Sequence, residues 1–179
     1  MGDAMFRRMF QRIGNLRRDQ RGSVMLEYSI LLLPALMILF GIFEMGMVLF
    51  ETSVVEGATR DAARRLRTGQ AQTSADPAGA FRQTFCASLF GLYNCSSFTF
   101  DVRSFSDFTA ITLPAPQFDA QGNVSNAQFT PGGAGTIMTV RVIYRHVFAT
   151  PLIGRLMGAG GGNTLPVTST AVFKSEPYS

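Results

Sequence analysis

The sequence predicts an α+β protein: a long N-terminal transmembrane helix that continues beyond the membrane, then a small, mainly antiparallel sheet domain. Three observations carry this reading. Tyr28 to Phe43 is a run of sixteen residues without a charge. Residues 51–68 repeat apolar side chains at helical spacing, and segments after residue 97 alternate apolar and polar residues with the period of a strand. With 179 residues the chain has room for one membrane segment and one modest domain. The expected division is a basic leader over 1–22, a transmembrane and stalk helix over 23–69, and an α+β domain over 70–179.

The leader carries Arg7, Arg8, Arg12, Arg17, Arg18 and Arg21 against only Asp3 and Asp19. That difference equals the whole net charge of +4, so the remainder of the chain is neutral. A neutral body argues against a nucleic-acid groove; the basic excess reads as a topology signal.

The apolar stretch then runs on from Tyr28 to Phe50, interrupted only by Glu44. As a helix it would measure about 35 Å, enough to cross a hydrocarbon core of about 30 Å. Pro34 should bend it, which membrane helices tolerate. Glu27 lies at the edge of the run and Glu44 near its far end. Each acid is expected either to snorkel to an interface or to face protein with a cationic partner, because a charge near the bilayer centre costs at least about 2.5 kcal/mol. The arginine excess before the helix favours a cytoplasmic N-terminus.

Beyond the membrane, Val55, Ala58, Ala62 and Leu66 form one apolar stripe. Glu56–Arg60 and Asp61–Arg65 are i,i+4 pairs with the acid first, the favourable order. Gly69 is placed to end the helix. Ser23 to Thr68 would then be one helix about 69 Å long. Residues 69–75 read as a polar linker. Asp76-Pro77 supplies an N-cap followed by proline in the first turn. A short helix follows, with Phe81, Phe85, Leu89 and Leu92 on one face, ending near Gly91.

Cys86 falls in that helix and Cys95 just after it; the chain has two cysteines. An isolated pair beyond the membrane segment is compatible with a disulfide in an oxidising compartment, and a bridge would tie the helix end to the next strand. Strands are expected over 97–105, 136–149 and 165–174, with a long loop over 113–135 and a helical turn over 152–157. In the second strand Met138, Val140, Val142 and Tyr144 mark one face, and Thr139, Arg141 and Arg145 the other.

No catalytic constellation is present. His146, the one histidine, is expected at a solvent-facing or edge position, with no nucleophile beside it. Residues 158–163, GAGGGN, lack the last glycine of a dinucleotide-binding turn and do not join a strand to a helix. Two more ligands would be needed to make a metal site of the cysteines. The chain is read as a non-enzyme without metal or cofactor.

One further pattern sits at the membrane boundary. The basic leader ends at Gly22, and the string from there reads G-x-x-x-x-E-Y, with Glu27 and Tyr28 closing it. This resembles the processing site of type IV-like prepilins, and the Glu-Tyr pair resembles the Flp branch. The wider context, RGSVMLEYSILLLPALMILFGIFEMG followed by EGATRDAARRLRTG, is similar to the TadE-like (TadE/TadF) minor pilins, or pseudopilins, of the tight adherence (Tad/Flp) pilus. The resemblance covers about residues 17–69; beyond it a cysteine pair and the overall size agree.

The resemblance implies cleavage between Gly22 and Ser23 by a prepilin peptidase. It also implies a role for Glu27 in charge pairing during assembly. The protein would sit in a bacterial inner membrane with a periplasmic C-terminal domain. Its partners would be the membrane, the peptidase, other pilins or pseudopilins and pilus assembly proteins, in the service of adhesion and surface attachment. The alternative is a membrane-anchored periplasmic binding module unrelated to pili, in which the glycine–glutamate spacing is accidental. An anchored enzyme is a third, minor reading.

Overall fold

The structure is a computed structural model that describes residues 21–119, 123–159 and 162–178. The expected leader falls outside the described residues up to residue 20, and of Arg21, Gly22 and Ser23 only the backbone is described. The chain divides into two units, residues 1–43 and 44–179.

One helix, α1 (Arg21–Arg67), begins in the first unit and ends in the second, running through Pro34. In the first unit its side chains are almost all exposed: Ile30, Leu31, Leu33, Ile38 and Ile42 each keep about two thirds of their surface. A bare apolar helix of this kind is costly in water. The helix is long and apolar enough to cross a membrane, with a mean hydropathy of 2.2 over its most apolar window, and it fits a single-pass membrane protein. Residues 24–43 alone would span about 30 Å.

The second unit packs two helices on a sheet. Its elements after α1 are α2 (Pro77–Ala87), β1 (Phe98–Phe105), β2 (Ile137–Val147), α3 (Pro151–Met157) and β3 (Thr164–Lys174). The sheet order is β1-β2-β3, antiparallel throughout, so the chain is α+β as the alternation predicts. Gly69 follows the end of α1 in a left-handed conformation at φ 80°. A Cβ there would also collide with the Tyr178 ring. Asp76 caps α2, its Oδ1 accepting from the Gly79 amide at 2.9 Å.

The main core joins these elements. Val55, Ala58, Ala62 and Leu66 from α1 and Phe81 and Phe85 from α2 are buried against Phe98, Val102, Val140 and Val142 of the sheet. Phe85 meets Phe98 and Phe100 edge-on, with ring centroids 5.0 and 5.1 Å away. Such contacts add about 0.5–1.5 kcal/mol each beyond area burial. A second cluster gathers Val48, Phe148, Ile153 and Val167.

Three expectations are corrected here. Leu92 is exposed, because α2 stops at Ala87 and the chain turns through Phe90, itself at φ 52°. Asp61 does not pair with Arg65; it accepts from Ser88 Oγ at 3.0 Å. His146 is neither solvent-facing nor at an edge: β2 is the central strand and His146 is buried. The second face of the sheet is covered as well: Thr139, Arg141 and Asp101 are buried with Ile143.

Residues 113–119 and 123–130 are what cover that face. Arg141 Nη1 donates to the Pro114 carbonyl at 2.7 Å, and Arg103 Nη2 to that of Asn126 at 2.8 Å. The same loop borders β1, where Val102 exchanges hydrogen bonds with Gln128 and Thr130. The loop thus satisfies backbone groups that an edge strand would otherwise present to solvent.

Candidate functional site

The motif residues lie at the start of α1. Gly22 and Ser23 occupy its first turn, while Glu27 and Tyr28 follow on the exposed helix surface. Ser23 and Glu27 are four apart, one turn of helix, so they share a face.

Glu44 is the first residue of the compact unit and is 4 % exposed. Its Oε1 accepts the Thr150 amide at 2.6 Å, just ahead of α3. Two turns on, Glu51 is equally buried, and its Oε2 lies 2.7 Å from His146 Nδ1. His146 Nε2 makes no hydrogen bond and lies 3.8 Å from Glu44 Oε2. A carboxylate only accepts, so with Glu51 ionised the imidazole donates through Nδ1. The result is a buried row, Glu44, His146 and Glu51, that fixes α1 to the end of β2. The Phe148 ring closes it edge-on, 4.9 Å from the imidazole centroid.

This row extends to two tyrosines. Tyr93 and Tyr144 hold their hydroxyl protons above the ordinary value of 10.0, first because burial disfavours the phenolate, then because the Glu51 charge repels it. Their rings stand 5.8 Å apart.

A second charged network lies on the other face of the sheet. Asp101, fully buried, takes Arg141 Nη2 at 2.6 Å and Arg103 Nε at 2.9 Å. The Gln128 amide adds a third donor at 3.1 Å. Asp101 and Arg141 are direct cross-strand partners.

The cysteines are joined: Cys86 and Cys95 form a disulfide with Cα atoms 5.7 Å apart. It links the end of α2 to the turn before β1, as the spacing predicts. Beside α2 an open groove of about 560 Å³ is lined by Asp76, Arg82, Phe98, Phe100 and Phe129. Arg82 places its guanidinium 5.5 Å from the Phe100 ring centroid. Among the described residues no group of three or more His, Cys, Asp or Glu is disposed to hold a metal ion.

Sequence reading singled out Glu44 but missed its partner and missed Glu51 altogether. A signal was present. Residues 44, 48, 51, 55, 58, 62 and 66 continue one stripe at spacings of three and four, and all seven are buried. Two acids in register with an apolar stripe must enter the core with it, and there they need donors.

Fold and site together define a class: an α+β protein whose N-terminal helix is long and apolar enough to cross a membrane and whose compact part, from Glu44 on, is held by buried polar groups. Residues 22–64 match the family model of TadE-like proteins, the family that the sequence resembles. The match starts at the motif glycine and leaves residues 65–179 outside it. No curated protein and no solved structure matches the chain.

Proposed function

We propose that this is a minor pilin-like protein that a prepilin peptidase cuts between Gly22 and Ser23, and that it acts in assembly of a Tad/Flp-type pilus serving adhesion. One observation carries the reading. The string from Gly22 to Tyr28 follows a basic leader, opens an apolar helix and begins the segment that matches the TadE-like model. Cutting there removes the arginines and keeps the whole apolar helix in the mature protein. Glycine suits the residue before the cut, because a backbone without Cβ can approach a peptidase closely. The arginine bias and the disulfide favour an inner-membrane protein with its compact unit in the periplasm.

The groove beside α2 supports a second reading, a membrane-anchored periplasmic binding module. The mature N-terminus separates the two. Mass spectrometry of protein from native membranes should find a chain beginning at Ser23. Gly22→Val should leave a full-length form that still inserts. A wild-type protein that retains Met1 would favour the binding module instead.

A further inference from the structure

We infer that α3 is a second membrane contact, with Leu152, Leu156 and Met157 resting in the lipid interface beside the point where α1 leaves the bilayer. The inference rests on reading residues 24–43 as the membrane span. α3 has two apolar faces. Ile153 is buried with Val48 and Phe148, which fixes the helix to the compact unit. Leu152 and Leu156, one turn apart, remain 52 % and 69 % exposed, and Met157 is 42 % exposed. A surface helix ordinarily turns a polar face outward; here most of that face is apolar.

Its place in the chain says what covers it. The Thr150 amide, immediately before α3, is held by Glu44, and Glu44 directly follows Phe43 in the same continuous helix. The start of α3 is therefore tethered to the residue that follows the apolar span in the chain. Over the next turn and a half of α1, Leu49 and Phe50 are also more than half exposed. The charge near this patch suits a phosphate headgroup. Residues 147–159 contain no acid, and Arg155 stands exposed between Leu152 and Leu156. The two acids of the adjoining α1 segment are buried on His146 and Thr150, away from the surface. An apolar ridge with one cation, tethered at the bilayer boundary, fits an anionic lipid surface.

The test uses the full chain with nitroxide labels on single introduced cysteines. The native pair is bridged and offers no free thiol. Leu156→Cys, Leu36→Cys and Phe90→Cys are each placed in nanodiscs of phosphatidylethanolamine and phosphatidylglycerol, one copy per disc. Collision with oxygen reports lipid, and collision with a water-soluble nickel chelate reports water. The Leu156 label should follow the Leu36 label, favouring oxygen, while the Phe90 label favours nickel. A Leu156 label that behaves like the Phe90 label overturns the inference while leaving the span intact. If the Leu36 label also behaves like Phe90, the membrane reading itself fails. A Leu156 label shielded from both probes, or shielded only when two copies share a disc, assigns the patch to protein and equally overturns the lipid contact.

Discussion

Glu51 on α1 and His146 on β2 meet through a 2.7 Å hydrogen bond, ninety-five residues apart in sequence and both buried. The bond sits between the two apolar clusters, with Val55 on one side along α1 and Val48 on the other. Removing one partner strands the other without water. Glu51→Leu should therefore destabilise the full chain in detergent by about 1–3 kcal/mol. Glu51→Leu combined with His146→Phe removes both polar groups and should recover more than half of that loss. Thermal unfolding followed by circular dichroism measures both. If the double variant is no better than the single one, the pair is not a coupled unit.

Alkaline stability follows from the same corner. Tyr93 and Tyr144 are both held above 10.0, chiefly by burial. The unfolded chain gives up these protons near pH 10, and the folded chain only above that. Stability from this source is fully present below pH 10 and is lost as pH rises through the folded values. Tyr93→Phe with Tyr144→Phe keeps the ring contacts and removes the titration. The urea midpoint of that variant should fall less than the wild type's from about pH 10 to about pH 12. An identical fall in both proteins would refute the assignment.

Asp101 holds the loop residues around Pro114 and Asn126 to the sheet by way of its arginines. Asp101→Asn removes the charge between Arg103 and Arg141 and leaves Arg141, only 5 % exposed, without its counter-ion. The expected loss is about 3–5 kcal/mol. Hydrogen exchange at the Gln128 and Thr130 amides should also accelerate, since Asp101 accepts the first and Val102 the second. Unchanged exchange at both amides would show that the loop is held by other means.

Much of this architecture is legible because hydrophobic period records it. The stripe through Val55, Ala58, Ala62 and Leu66 marks the buried side of α1, and the alternation of β1 and β2 marks the face that packs on the helices. Period cannot say whether the other face is covered. Thr139 and Arg141 look like solvent residues, yet a loop with little regular structure covers them, contributing carbonyls where a core would contribute side chains. The burial of His146 escapes notice for a similar reason. Its partner, Glu51, lies on another element, and the only signal of burial is that each residue continues an apolar stripe of its own element. At the motif, Gly22 and Glu27 are legible through resemblance; spacing on its own would not distinguish them from any helix start.

The remaining prediction concerns Glu27 and belongs to the pilin proposal. Cleavage after Gly22 would make Ser23 the N-terminus and Glu27 the fifth residue of the mature chain. The new α-amine and the carboxylate would then lie one helical turn apart on one face. Both would sit at the membrane boundary, where an uncompensated charge is expensive. Pairing them offsets that cost, within one chain or between neighbours in an assembly; in the pilins that this sequence resembles, the acid is thought to serve the second arrangement. Glu27→Gln keeps size and hydrogen bonding but removes the charge. An intrachain pair would leave assembly untouched by this change. An intermolecular pair predicts a variant that is cut and inserted normally, yet no longer co-purifies with other pilins and no longer supports pili. Piliation of the Glu27→Gln strain at the wild-type level would rule out the carboxylate as an assembly contact.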